Sequence, residues 1–276
     1  MTVRFASLVG KTALAVAFCA PSIALAQTAP PLGQAGSFAV LGASAVTNVG
    51  PTVLTGDLGI WANTTSSITG FPPGIVNGAT HSADAVAQQA QTDVTAAYNN
   101  LAGQACSPAN TLTGIDLGGL TLTPGVYCFS TSAQLTGALT LDAQGNSAAV
   151  FVFQVGSTLT TASGSRVLLT NGASACNVFW QVGSSATLGT TTAFAGNILA
   201  LASITLNTGA VAPGRALART GAVTLDTNGV GGCSSPGGGI IQPGAALTPT
   251  LSHWALIALI LLIAMVGFKA MRRRDS

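Results

Sequence analysis

No glutamate occurs anywhere in the 276 residues, lysine is found only at positions 11 and 269, and acidic and basic residues together make up 6% of the chain. Ordinary soluble domains carry about a quarter, so functions that need arrays of fixed charge are disfavoured. The formal net charge is +2, but Arg4, Lys11, Lys269, Arg272, Arg273 and Arg274, six of the nine basic residues, lie in the terminal segments. Between Gln27 and Ala246 three Arg stand against six Asp, a balance of −3. A chain without a basic patch has nothing to neutralise phosphates, which excludes nucleic acid as a partner. Histidine occurs only at 81 and 253 and no Cys-x-x-Cys spacing is present, so neither a metal site nor another cofactor is expected.

Enzyme chemistry fares little better. Glycan cleavage would need clustered carboxylates or a carboxylate beside a base. Asp142 and Asp226 are equivalent by repeat, with Arg215 and Arg219 near the second in sequence, and solvated turn charges account for all four equally well. His81 and Asp84 lie three apart on an expected helix with no nucleophile elbow beside them. What the chain does have is 34 glycines and 48% hydrophobic residues, which disfavours disorder and coiled coil.

Both ends read as address labels. Residues 1–26 join a basic start to the short apolar run Thr12 to Phe18, a break at Pro21 and Ala24-Leu25-Ala26, the pattern of a cleavable signal peptide. At the other end, Gly237-Gly-Gly239 and Pro243-Gly244 form a flexible link over residues 234–248. Residues 249–276 follow, with the apolar stretch Trp254 to Phe268 ahead of Lys269 and Arg272-Arg273-Arg274. Counted from Leu251, the segment is just long enough to span a bilayer, positive flank inside, leaving the preceding domain on the outer side. Pro249-Thr250-Leu251-Ser252-His253-Trp254, the helix and the Arg cluster resemble the C-terminal sorting signals of Gram-negative bacteria that exosortase-type machinery processes. A plain membrane anchor is the alternative. With Cys19 in the signal peptide, the exported domain keeps Cys106, Cys128, Cys176 and Cys233, an even number suited to two disulfides. Three pairings exist. Cys106 with Cys128 and Cys176 with Cys233 is preferred because each joins neighbouring segments, and each closure contributes roughly 3 to 4 kcal/mol.

The middle of the chain is a repeat. Thr-Leu steps begin at Thr121, Thr140, Thr158, Thr187, Thr205 and Thr224, at intervals of 19, 18, 29, 18 and 19. Gly137-Ala-Leu-Thr-Leu-Asp-Ala-Gln-Gly145 also matches Gly221-Ala-Val-Thr-Leu-Asp-Thr-Asn-Gly229. A period near 18 rich in Gly, Thr and Ser suits three short strands and three turns, hence a mostly β fold built as a β-solenoid. Strand alternation turns Leu139, Leu141, Ile204, Leu206, Val223 and Leu225 inward. Their neighbours face out: Thr121 and Thr123, Thr140 and Asp142, Thr158 and Thr160, Thr187 and Gly189, Thr205 and Asn207, Thr224 and Asp226. Stacked, these predict one ladder with about 4.8 Å between rungs.

A second face, Val150 to Phe153, Val178 to Trp180 and Ile198 to Leu201, is apolar on both alternations and must be covered. The cover is a helix from about Thr80 to Ala102, where Ala83, Val86, Ala87, Ala90, Val94, Ala97, Tyr98 and Leu101 recur at helical spacing. Thr80 or Ser82 is expected to cap it, Asp84 to sit in its first turn and Gly103 to end it, with Pro72-Pro73-Gly74 as the turn leading in. Phe38 to Asn48 and Pro51 to Ile60 must then supply strands at one end.

Several long motifs carry a resemblance: Thr55-Gly-Asp-Leu-Gly-Ile60, Ile68-Thr-Gly-Phe-Pro-Pro-Gly-Ile-Val-Asn-Gly78, Ala96-Ala-Tyr-Asn-Asn100, Leu122-Thr-Pro-Gly-Val-Tyr-Cys128, Asn177-Val-Phe-Trp-Gln-Val-Gly183 and Gly196-Asn-Ile-Leu-Ala200. Over about Gly33 to Cys233 the chain closely resembles the microbial ice-binding-like domain, within an exported domain of residues 27–233. The resemblance implies a discontinuous right-handed β-solenoid of triangular section with one long helix alongside, and a monomer is expected. It also implies adsorption to ice through one flat face, slowing growth and recrystallisation. The physical basis is separate from the family: threonine methyls disfavour disordered water while the hydroxyls hold an ordered layer. The candidate ice-contacting residues are Thr121, Thr123, Thr140, Thr158, Thr160, Thr187, Thr205, Asn207 and Thr224. Outward threonine is also an ordinary strand residue, Asp142 and Asp226 interrupt the ladder, and a surface adhesin or matrix protein is the alternative function.

Overall fold

A computed structural model of the chain describes residues 27–233. The expected signal peptide, linker and C-terminal sorting segment lie outside the described residues. Among those described, no helix is long and apolar enough to cross a membrane.

The described chain is mostly β, with every strand pairing parallel and one α-helix. After the helix, successive strands go in rotation to three sheets: Gly125–Phe129, Ala133–Leu135 and Ala138–Asp142, then Phe151–Val155, Leu159–Thr161 and Arg166–Thr170. From Val178–Val182 onward the third strand of the circuit shrinks, reduced at Ala193 to single bridges with Arg166 and Val211. Strand Val211–Ala218 turns a corner, its start pairing with Gly229–Gly231 and its end with Gly196–Ala200 and Phe38–Gly42. The N-terminal strands therefore stack after the last C-terminal ones, as the sequence required: Phe38–Gly42 on Val211–Ala218, Val46–Val49 on Val223–Asp226, and Val53–Thr55 on Gly229–Gly231.

Two cores follow from this layout. Inside the sheets, Leu135, Leu139, Leu141, Leu188, Ile204, Leu206, Val223 and Leu225 are buried, as alternation assigns. An aromatic column runs through the same space. Tyr127, Phe153 and Trp180 stand in register, with Phe153 and Trp180 stacked at 3.9 Å between ring centroids and Trp180 Nε1 donating to the Ala195 carbonyl at 3.0 Å. Gly196, at φ +119, passes so close to this ring that a Cβ there would lie 2.8 Å from Trp180 Nε1.

The second core lies outside the first sheet, whose strands Val178–Val182 and Gly196–Ala200 are buried at every position. Val126, Val152, Phe179, Leu199 and Leu217 pack there against Ala90, Val94, Ala97, Tyr98 and Leu101 of the helix. Two glutamines fasten it: Gln91 Nε2 donates to the carbonyls of Ala218 and Arg219, and Gln154 Nε2 to those of Leu101 and Gln104.

The helix spans Ala85–Ala102, starting later than the sequence suggested, and its cap is Asp84 rather than Thr80 or Ser82. Thr80–Ser82 is instead a short strand paired with Asp57–Ile60, and Ala83 breaks away from it at φ +53. Pro72-Pro73-Gly74 correspondingly leads into strand Ile75–Asn77 and not directly into the helix. Gly103 is the C-cap, as expected. The N–H of Ala87 donates to the Asp84 carboxylate at 2.8 Å and, as the main influence, holds its pKa below the usual 3.8. A carboxylate with a depressed folded pKa contributes stability at higher pH and loses it as pH falls through the folded value. Asp84→Ala should cost about 1 kcal/mol at neutral pH, with the difference from the parent closing below about pH 4, as read by chemical denaturation across pH.

Disulfides join Cys106 to Cys128 and Cys176 to Cys233, the preferred pairing, with Cα separations of 6.3 and 5.3 Å. The second closes 57 residues and fastens the last strand to the segment ahead of Val178. Replacing both Cys176 and Cys233 with serine should lower unfolding free energy by about 4 kcal/mol, measured as a shifted denaturant midpoint. Arg215 reinforces the same junction. Only 2% exposed, it donates to the carbonyls of Gly36 and Cys233 and to Asn197 Oδ1, so it ties both ends of the domain to the first sheet. Burial pushes its pKa down to about 10, and this buried structural role removes it from consideration as a catalytic base.

Candidate functional site

The second sheet has seven strands in the order Ala133–Leu135, Leu159–Thr161, Ala186–Leu188, Ile204–Leu206, Val223–Asp226, Val46–Val49 and Ile68–Thr69. Inward residues on both sides of each central position pin the register, since a slip of one would bury a hydroxyl and expose a leucine. The central residues then line up: Gln134 with Thr160, Thr160 with Thr187, Thr187 with Thr205, Thr205 with Thr224, Thr224 with Thr47, and Thr47 with Thr69. Six threonines thus occupy six successive rungs, none of them buried. At about 4.8 Å per rung the row runs roughly 24 Å.

Beside it, one row back along each strand, Ser132, Thr158, Ser185, Ser203, Ala222 and Ala45 keep the surface small. Their hydroxyls are partly turned to the backbone: Ser185 Oγ accepts from the Ser203 N–H and Ser203 Oγ from that of Ala222. In the main row Thr47 Oγ1 donates to Thr224 Oγ1 at 3.3 Å. Among the described residues the hydroxyls of Thr160, Thr187 and Thr205 have no protein partner, which leaves them to water.

Four of the sequence candidates, Thr160, Thr187, Thr205 and Thr224, therefore share one row. Asn207 stands two residues along its strand, in a flanking row with Gly189, Asp226 and Val49. Thr158 is half-buried on the same sheet but one row over. The Thr-Leu alignment placed it level with Thr187, whereas the register pairs Leu159 with Ala186. Thr121, Thr123 and Thr140 are elsewhere. Thr140 pairs with Thr121 and with Leu168 in the three-stranded sheet, and Thr123 follows that strand, its carbonyl accepting from the Tyr127 hydroxyl at 2.6 Å. The single ladder is thus two. In the first complete circuit the second sheet carries Gln134 and the third carries Thr140, so the interval of 18 from Thr140 to Thr158 crosses between sheets. Thr47 and Thr69 escaped the alignment because they follow Val and Ile instead of preceding Leu, and because they join the row out of chain order.

Charge is kept off the six threonines. Asp142 belongs to the third sheet, where the Gln144 N–H and Asn171 Nδ2 bind its carboxylate and hold its pKa below 3.8. Asp226 sits in the flanking row, its carboxylate tied back by the hydroxyls of Thr208 and Thr227. Asp116 bridges to Gln134 at one end of the sheet. Burial would raise its pKa, but the N–H groups of Gly118 and Thr136 outweigh that and keep it low. His81 Nδ1 and Asp84 Oδ2 lie 2.8 Å apart at the helix start, away from this sheet.

The other surfaces differ. The first sheet is covered by the helix. The three-stranded sheet carries Arg166 and Asp142 with exposed Leu168 at 42%, and beyond the bridges at Ala193 the strands that continue its side expose Val211 at 42% and Ile75 at 53%. Val211 and Val53 flank Gly229 there, so the surface dips between them. Among the described residues no group of three or more His, Cys, Asp or Glu is placed to hold a metal ion.

Comparison with known proteins bears on this sheet. Residues 40–231 match the family model described as ice-binding-like, and residues 249–273 match the IPTL-CTERM motif. The chain is 64% identical to an ice-binding protein of Nostoc sp. over 198 residues, covering 71% of this chain and 72% of that protein. It is 38% identical to ice-binding protein 1 of Shewanella frigidimarina over 73% of this chain, which spans only 26% of that longer protein. The crystal structure of an ice-binding protein from an Antarctic biological consortium superposes with a TM-score of 0.72 at 52% identity, covering 75% of this chain and 92% of that one.

Proposed function

Because the chain belongs to the ice-binding-like family, we propose that it is an exported, non-enzymatic protein that adsorbs to ice through the threonine row of its seven-stranded sheet and slows ice growth and recrystallisation. The observation that carries this reading is the unbroken register Thr160, Thr187, Thr205, Thr224, Thr47 and Thr69 on a surface without a charged side chain in its central row. Regular methyls, with the unpartnered hydroxyls of Thr160, Thr187 and Thr205 between them, favour an ordered water layer that can merge with a lattice. A carboxylate or ammonium would instead fix its own hydration shell.

Three further elements accompany this proposal. The rotation of the strands through three sheets supports a discontinuous right-handed β-solenoid of triangular section, with the helix alongside. The sequence pattern of residues 1–26 and the motif at 249–273 support export, with a C-terminal segment holding the domain to the membrane until it is processed and the protein then retained at the surface or released. The domain occupies residues 27–233 and acts as a monomer on ice. An ice recrystallisation assay on residues 27–233 tests the reading. Crystals in the treated slurry should stay small at concentrations where an inert protein of equal size lets them coarsen, and equal coarsening would refute it.

A further inference from the structure

The threonine row crosses a change in circuit length, and one buried side chain holds it there. Thr160 and Thr187 are 27 residues apart in sequence, but Thr187 and Thr205 only 18. The strands on either side are joined by ordinary ladders: the N–H of Ala162 donates to the Leu135 carbonyl, and that of Asn207 to the Leu188 carbonyl. At the corresponding position between these two, Gly189 has no such bond. Its N–H donates instead to Thr161 Oγ1 at 2.9 Å, and pairing of Leu159–Thr161 with Ala186–Leu188 covers two positions rather than three. The backbone crosses so closely that a Cβ on Gly189 would lie 2.6 Å from the Thr161 carbonyl oxygen. Thr161 Oγ1 also meets Thr192 Oγ1 at 2.8 Å, and Thr192 Oγ1 lies 3.3 Å from the Ala162 carbonyl. Both side chains are buried, Thr161 at 3% exposure and Thr192 at 0%.

We infer that Thr161, facing the interior and touching no ice, is a positioning residue for the ice-contacting surface: with Thr192 it completes the interrupted ladder between the long and short circuits and so keeps Thr160 level with Thr187. The inference rests on the proposed ice-binding role of the row. Valine at 161 preserves shape but removes the acceptor for Gly189, whereas serine retains it. A displacement of one rung interrupts the row between its first and second threonines.

The test compares Thr161→Val, Thr161→Ser and Val94→Ala in the domain of residues 27–233. Val94 lies in the helix, on the covered sheet, and its truncation destabilises the fold without touching the row. Ice-growth inhibition by Thr161→Val should fall about fivefold, the effect of one lost hydrogen bond, while Thr161→Ser and Val94→Ala should remain close to the parent. Amide exchange at Gly189 should accelerate in Thr161→Val alone. Parent-like inhibition by Thr161→Val, equal losses in Thr161→Ser, or equal losses in Val94→Ala would overturn the assignment. Should the parent itself leave ice growth unaffected, the ice reading fails, and unchanged Gly189 exchange in Thr161→Val would separately overturn the positioning role.

Discussion

Thr205→Lys should reduce ice-growth inhibition by at least about tenfold, a loss of ~1.4 kcal/mol or more in adsorption, with little change in thermal stability. Thr205 is held in register between Thr187 and Thr224, near the middle of the row, and its side chain faces solvent while Ile204 and Leu206 fill the core. Lysine at this position keeps the strand but raises a hydrated ammonium above the plane of the neighbouring methyls. Because adsorption needs many weak contacts made together, one protruding charge separates the rungs on either side from the lattice. Thr140→Lys provides the control, as Thr140 belongs to the other ladder beside Leu168. It should leave inhibition within about twofold of the parent, since exposed substitutions away from the row change little. Equal losses from both variants would mean that position on the second sheet is not what matters.

The largest stability effect of a single substitution in the core should come from Trp180→Ala. Trp180 is fully buried, stacks on Phe153 at 3.9 Å, tilts against Phe194 at 5.0 Å between centroids, and satisfies the Ala195 carbonyl through its indole N–H. Truncation removes a link of the internal aromatic column and leaves a carbonyl unpaired in a rigid setting. A loss of about 4 kcal/mol is expected, seen as a fall of roughly 10 °C in the melting midpoint. Trp180→Phe fills most of the volume without the hydrogen bond and should cost about half as much. A Trp180→Ala variant melting within a couple of degrees of the parent would show that the column is not structurally important.

Much of this fold was legible because its two alternations are so different. Continuous apolar runs such as Val178 to Trp180 required a cover, and the helical spacing of Ala90, Val94, Ala97 and Leu101 supplied it. Strict alternation at Ile204 to Leu206 and Val223 to Leu225 fixed inside and outside. The register of the site was harder to read. Thr-Leu steps recur on two sheets at nearly the same interval, so spacing alone merges Thr121 and Thr140 with Thr187 and Thr205. Thr47 and Thr69 enter the row only through long-range stacking, which local pattern does not encode. The helix start was missed for a local reason: Thr80 and Ser82 are good caps in sequence, but pairing with Leu58 and Ile60 takes that segment into a strand and leaves Asp84 to cap.

The central claim, that the threonine row of the seven-stranded sheet contacts ice, is tested most directly by partitioning of labelled protein into a slowly grown ice crystal. The parent domain and a Thr121→Tyr/Thr140→Tyr double variant should be incorporated alike, while Thr187→Tyr/Thr205→Tyr should be left in the liquid. Incorporation of Thr187→Tyr/Thr205→Tyr at the parental level, with its fold confirmed by circular dichroism, would contradict the account.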